Sequence, residues 1–572
     1  MSDELEIWAP HADEVALAYE GKTVVARATE NGCYRAPAPP FGVDYVVVLD
    51  GKRRPDPRSQ WQPHGVHGAS QRIEHAFVWN DHAFRAQPLG GAAIYELHVG
   101  TFTAEGSYAA AATRLPYLAE LGITHVELMP LATFPGRYGW GYDGVCLWAP
   151  HPTYGSPDDL KRFVARAHEL GVAVLLDVVY NHLGPDGNYL AEFGPYFNES
   201  VPTPWGPAVN LDGPYSDQVR RFFIDNACMW LRDYHFDGVR LDAVHAFIDR
   251  SALGFLEQLA SEVHALAEHL QRSLVVIGES DLNDPRIVRS VNEGGYGLDA
   301  QWSDDFHHAL HALLTRETSG YYSDFGSIAD VGRALRDGFV YAGRYSGHRK
   351  RAHGRPLGEL SGSSLLGYLQ THDQVGNRAR GERIGMLASE GRVRIGAALV
   401  FVAPYVPMLF QGEEWSASTP FLYFADHESA ELADAVRNGR RAEFAAFGWK
   451  PDDIPDPSAE QTFRSSVLSW SETEREPHAS MLGFYRALIA LRRSTPELRD
   501  GRRDRIEVQW DDARGWLSVH RGPITLLANL GAEAIDVPRP AGHCVLAHPP
   551  DPREERGRVT LPPDACAIWS MG

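Results

Sequence analysis

FDGVRLDAVH, residues 236–245, carries a tension that its neighbours must resolve. Read as a strand, GVRLDAV (238–244) alternates its side chains between two faces. Val239, Leu241 and Ala243 share one face, and Arg240 and Asp242 share the other. An Arg–Asp pair at a strand end suits a plain ion pair. It equally suits a polar mouth into which other strands deliver charged groups.

The neighbours favour the mouth. From residue 92 onward, apolar strand-like runs alternate with helix-like segments. The runs are AAIYELHVGTF (92–102), THVELMPL (124–131), VAVLLDVVY (172–180), GVRLDAV (238–244), SLVVIGES (273–280), GLDAQWSDDF (297–306), LLGYLQTHD (365–373) and VPMLFQGEE (406–414). Helical stretches include 156–171, which opens on Ser156 and Pro157, then 250–270 and 390–403. Eight β-then-α units predict a central (β/α)8 TIM barrel. An open doubly wound sheet also alternates this way, but no glycine-rich nucleotide fingerprint follows an early strand. Short β-like runs split by Gly, Pro and Asn predict an N-terminal β-sandwich over 1–87. The barrel is expected over 88–490, with a short excursion after strand three, and a C-terminal β domain over 491–572.

Composition narrows the function. The 572 residues carry a formal net charge of −21, which argues against nucleic acid or an anionic membrane as partner. No apolar run approaches the ~20 residues of a membrane span, and the N-terminus does not read as a secretory signal. Five scattered cysteines indicate neither a disulfide framework nor a metal cluster, so a cytoplasmic location is expected. Fourteen tryptophans fit a large core or a sugar site.

Polar residues gather at the C-terminal ends of the predicted barrel strands, the rim where such barrels place their active sites. Asp177, Asn181 and His182 follow the third strand. Arg240, Asp242 and His245 belong to the fourth, Glu279 to the fifth, and His372 and Asp373 to the seventh. Three acids on separate strands suit glycosidic cleavage. One carboxylate attacks the anomeric carbon and a carboxylic acid protonates the leaving oxygen; at about 5 Å apart the pair retains configuration. A third steadies oxocarbenium charge. An arginine beside the attacking group favours its ionised form. Singly, Asp177 or Asp373 reads as a cap, His182 as a core histidine and Glu279 as a helix-start acid. Their convergence on one rim is what favours catalysis. The histidines match no zinc spacing, so no metal site is predicted.

DVVYNH (177–182), GVRLDAVH (238–245), IGES (277–280) and THD (371–373) resemble, in order, the four conserved regions of glycoside hydrolase family 13, the alpha-amylase family. The resemblance implies Asp242 as nucleophile, Glu279 as general acid/base and Asp373 as transition-state stabiliser. It implies that Arg240 orients the nucleophile and that His182 and His372 contact the sugar. Tyr142 of YGWGYDG (138–144) would stack on that sugar, with Asp177 as a supporting acid and His245 beside them. WGYDGV, NHLGPDGNYL, TPWGPAVNLDG (203–213), NACMWL (226–231), SDLNDP (280–285), HDQVGNRARGER (372–383), GEEW (412–415) and 55–70 resemble the trehalohydrolase branch of the family.

That branch implies hydrolysis of the α-1,4 bond next to the terminal trehalose of a malto-oligosyltrehalose. It also implies functional coupling to a malto-oligosyltrehalose synthase, and no organic cofactor. Its N-terminal domain resembles carbohydrate-binding module family 48. On the leaving-group side the expected contacts are Trp205, Asp304, Asp305, His307, His308, Glu413 and Trp415. Thr371 stands where asparagine is usual and Gly278 where alanine is common. The short segment after His182 leads us to expect no required calcium. The rival readings are a glucan branching enzyme, which transfers glucan to a 6-hydroxyl, and a non-catalytic glycan-binding protein.

Overall fold

The computed structural model describes residues 4–445, 450 and 453–572. Residues 1–3, where the stretch read for a secretory signal begins, lie outside these. Among the described residues no helix is long and apolar enough to cross a membrane.

The centre is a closed parallel barrel of eight strands. In chain order they are Ile94–Leu97, His125–Leu128, Ala173–Val178, Gly238–Leu241, Val275–Gly278, Ala300–Trp302, Leu365–Tyr368 and Val406–Phe410. Each lies within one of the eight apolar runs, and nearly all of their residues are buried, as strands covered on both faces require. Alternate residues fill the interior in layers supplied by alternate strands. The register places Glu127, Arg240, Trp302 and Met408 of the even strands in one layer. Just above them sit Glu96, Asp177 and Tyr368 of odd strands, with Glu279 immediately past the end of strand five. Below, Ile94, Leu175, Ile277, Ala300, Leu366 and Val406 form an apolar floor. Polarity inside this barrel therefore increases toward the C-terminal rim.

The helices form where their caps predict. Pro157–Glu169 begins on Ser156, whose hydroxyl accepts from the Asp159 N–H while Asp159 bonds back, a reciprocal capping box. The helix expected over 250–270 starts only at Phe255, because 250–254 form a loop behind which Asp249 Oδ2 accepts from Phe255 N–H at 2.6 Å.

The N-terminal strands make two sheets. One contains Glu4–Trp8, Arg27–Ala28 and Cys33–Pro37, and the other contains Val15–Tyr19, Lys22–Val25, Asp44–Leu49 and Lys52–Arg54. In Asp44–Leu49, Tyr45, Val47 and Leu49 are buried and alternate with more exposed neighbours, the signature of a strand with one covered face. Residues 72–88 then run as an irregular strap against the barrel. Phe84 stacks on His168 at 4.1 Å and Trp79 on His235 at 3.7 Å. At the other end a five-stranded sheet (Ile506–Asp511, Trp516–Arg521, Ile524–Asn529, Ala565–Ser570, His543–His548) faces a three-stranded one. Two strands of the smaller sheet are too short for their pattern to announce them: Ile535–Pro538, which buries only Ile535 and Val537, and the wholly polar Arg553–Glu555.

Candidate active site

Strand four ends at Leu241, earlier than GVRLDAV predicts. Ala243 turns into the left-handed region at φ 42°, so Asp242 sits in a turn rather than two places along a strand. Arg240 is also not at an open mouth: it is 0% exposed, inside the barrel and beneath the acids. Its Nη1 donates to both oxygens of Asp177 at 2.7 Å and to Asp242 Oδ1 at 3.0 Å. Its Nη2 lies 3.0 Å from Glu279 Oε2. Trp302 supports the guanidinium from 4.3 Å. Burial opposes the charge on Arg240, but Asp177, Tyr142, Glu279 and Asp242 more than offset it and raise its pKa. One buried cation thus gathers three carboxyl groups.

Asp242 is fixed from its other side as well. Asn181 Nδ2 donates to Asp242 Oδ2 at 2.6 Å and to its carbonyl at 2.9 Å. Glu279 Oε2 accepts from the Ala243 N–H at 2.7 Å. Burial, reinforced by Asp242, Asp373 and Asp304 against the pull of Arg240, raises the Glu279 pKa well above the carboxylate range. A carboxyl whose protonated form is favoured, beside a second one held by an arginine and an amide, is the division of labour that acid-assisted nucleophilic attack needs.

Asp373 occupies the first turn of the short helix His372–Gly376. Thr371, the departure noted in the sequence, is its N-cap. Its Oγ1 accepts from the Asp373 N–H at 3.3 Å while Gln374 Oε1 accepts from the Thr371 N–H at 3.0 Å. Threonine therefore still aims the aspartate. Gly278, the other departure, is close-packed: a Cβ there would meet Leu298 Cδ2 at 2.9 Å.

Around these acids lies a polar relay. The Tyr142 hydroxyl donates to Asp177 Oδ2 at 2.6 Å and lies 2.8 Å from His372 Nε2. His372 Nδ1 lies 2.5 Å from Glu96 Oε1, and its backbone N–H donates to Glu96 Oε2 at 2.9 Å. Burial disfavours charge on His372, yet Glu96 and Asp373 lift its pKa to about 9. Asp177 is pushed up to about 6, by burial first and Asp242 next, against Arg240. The rings of Tyr142 and His372 stack at 5.1 Å beside Trp140. His182 Nε2 lies 3.1 Å from the Tyr142 carbonyl, and its ring stacks under Trp205 at 5.3 Å. Trp205, 48% exposed, rides on the hairpin of Phe197–Thr203 and Gly206–Val209.

The leaving-group candidates separate. Asp304 lies at the rim, where its Oδ1 accepts from Tyr368 at 2.5 Å and burial raises its pKa to about 6. His245 is exposed on the turn after Asp242; with Arg349 it draws the Asp281 carboxyl below the usual range against burial. His308 is half-buried against Tyr321 at 5.0 Å. Four residues are corrected. Asp305 Oδ2 accepts from the backbone N–H groups of Val340 and Tyr341 at 2.6 and 2.7 Å, and so caps a buried loop. His307 is buried against Tyr322 and Tyr368. Glu413 is buried where it accepts from Tyr485 at 3.0 Å, on the helix His478–Ser494 outside the barrel. Trp415 is wholly buried against Trp470.

Glu96, Glu127, Trp302 and Arg349 were not singled out in the sequence. A lone glutamate at an inward position of an apolar strand is the signal that Glu96 and Glu127 share. Arg349, which reaches Asp281 at 2.8 Å from the segment between strands six and seven, has no such signal.

A parallel barrel with converging carboxyls at this rim is the architecture of the alpha-amylase class of glycoside hydrolases, and residues 89–200 match the family Alpha amylase, catalytic domain. Residues 501–568 match a domain of unknown function, DUF3459. The chain is 48% identical to a malto-oligosyltrehalose trehalohydrolase of Arthrobacter ramosus, over 96% of each chain. It is 45% identical to one of Rhizobium sp. (strain M-11), over 98% of this chain and 97% of that one. A crystal structure of a putative alpha amylase from Salmonella typhimurium superposes with a TM-score of 0.91 at 36% identity, covering 99% of this chain and 97% of that one. The chain belongs to the malto-oligosyltrehalose trehalohydrolase family of glycoside hydrolases.

Proposed function

We propose that this chain hydrolyses the α-1,4-glucosidic bond next to the terminal trehalose of a malto-oligosyltrehalose, with retention of configuration, and releases trehalose. Asp242 attacks the anomeric carbon. The bond to the trehalose oxygen breaks, and Glu279 supplies the proton that oxygen takes. Glu279 then removes a proton from water, which displaces Asp242 and restores both side chains. Asp373 faces the charge on the ring, His182 and His372 hold its hydroxyls, and the Tyr142 ring stacks on it. Trp205, His245 and Asp304 contact the chain on either side of the cut. The single observation that carries this reading is Arg240, which holds Asp242 and Glu279 at 3.0 Å each from the two ends of one guanidinium. The enzyme acts in the cytoplasm on the product of a malto-oligosyltrehalose synthase, as part of trehalose synthesis.

A paired digest tests it. Maltopentaosyl trehalose should release trehalose, and maltoheptaose should be cleaved little. Equal cleavage of both, or new α-1,6 branches from the second, would overturn the specificity in favour of an amylase or a branching enzyme.

A further inference from the structure

Glu127 has no role in the chemistry above, yet it lies in the layer directly beneath it. It stands on strand two, 0% exposed, in register with Glu96 of strand one. Neither carboxyl oxygen has a hydrogen-bond partner among the described residues. Leaving such a group bare in a barrel interior is costly, and an apolar side chain fills the same kind of place elsewhere in the layer, at Met408.

The rest of that layer supplies what Glu127 lacks. Across the axis, on strand six, the Trp302 indole N–H is also buried and unpaired. Between them, on strand four, Arg240 Nε is buried and unpaired as well. One layer therefore holds two carboxyl oxygens and two N–H groups, none of them hydrogen-bonded to another among the described residues. Buried polar groups in this relation are ordinarily joined by an internal water, which makes about three such bonds. Glu127 is also suited to donate. Burial first, then Glu96 and Asp177, raise its pKa against Arg240 and His372, which favours the protonated, donating form.

We propose that Glu127 is a positioning residue: with Trp302 Nε1 and Arg240 Nε it binds one internal water that holds the Arg240 guanidinium under Asp242 and Glu279. The positioning role rests on the hydrolase reading above, whereas the water site does not. Losing the water frees the guanidinium to tilt, and a tilt misplaces both acids at once.

Two measurements test this separately. A high-resolution crystal structure of the full chain should show a water within hydrogen-bond distance of the Glu127 carboxyl and Trp302 Nε1. A dry layer, or Glu127 bonded directly to another side chain, overturns the site whatever the substrate. On maltopentaosyl trehalose, Glu127→Gln should keep kcat, because an amide still binds water. Glu127→Leu should lower kcat by up to about 10²-fold, with KM nearly unchanged, as expected for a small misplacement of reacting groups. If the leucine variant does not fold, Trp302→Phe removes the opposite donor while keeping the ring, and should lower kcat in the same way. A folded Glu127→Leu or Trp302→Phe enzyme with wild-type kcat overturns the positioning role. Failure of the wild-type enzyme to release trehalose would instead count against the functional reading.

Discussion

Asp242 is oriented by three donations, one from Arg240 and two from Asn181, and only one of those partners lies in its own segment. The pairing of Arg240 with Asp242 was legible in FDGVRLDAVH; its geometry was not. A left-handed turn at Ala243, not strand alternation, brings the carboxyl over the guanidinium. Asp242→Asn keeps the shape and removes the attacking charge. It should lower turnover by about 10³-fold or more, roughly 4 kcal/mol of barrier, without unfolding the chain. Glu279 gives a pH signature. Its folded pKa is raised, so the proton-donating form is favoured and is lost as pH rises through that raised value. The alkaline limb of kcat against pH should follow it. In a Glu279→Gln variant, the first-turnover release of fluoride from a glycosyl fluoride, whose leaving group needs no proton, should lack that limb. An unchanged limb would assign it to another group.

At the scale of elements, the eight barrel strands were readable because each is a short, nearly continuous apolar run, and burial on both faces demands that composition. The leaving-group residues were readable only in part. Asp304 and Asp305 are adjacent in sequence, but both lie in the first turn of the helix Asp304–Thr315. Successive helical side chains diverge by about 100°, so one faces the rim and the other faces the loop at Val340. Glu413 and Trp415 follow strand eight in a turn that carries them outward, and no periodicity in four residues reveals that direction. Asp305→Ala should therefore destabilise the protein by roughly 1–3 kcal/mol for each backbone N–H left bare, read as a lower denaturation midpoint. KM should not change. A raised KM at unaltered stability would return Asp305 to the substrate site.

At the scale of the whole molecule, the flanking sheets were legible from their turn residues, but the strap of residues 72–88 was not. Its contacts lie far along the chain and it has no repeat of its own. His168 is its anchor, with Nδ1 2.8 Å from Asp81 and Nε2 2.9 Å from Asp237, and Asp81 also meets His235 at 2.7 Å. Burial disfavours the imidazolium of His168, but the two aspartates outweigh it and raise its pKa above 6.5. Its contribution to stability is thus fully present below about pH 6.5 and is lost as pH rises through the folded value. The two histidines lower the Asp81 pKa despite burial, so its contribution is present above about 3.8 and is lost as pH falls through its folded value. Thermal stability should decline as pH rises from about 6.5 through the raised folded pKa of His168. Asp81→Asn should flatten that decline and expose the strap to protease, whereas an unchanged pH profile would remove His168 from the account.

Asp242 is the carboxylate proposed to bond to the anomeric carbon, and covalent trapping reads that directly. A Glu279→Gln enzyme incubated with α-maltotriosyl fluoride should accumulate a glycosyl-enzyme, since attack needs no acid while release needs a base. After digestion, mass spectrometry should find the maltotriosyl group on the peptide carrying Asp242. A label on Asp373 or Asp177, or no label with inverted product, would contradict it.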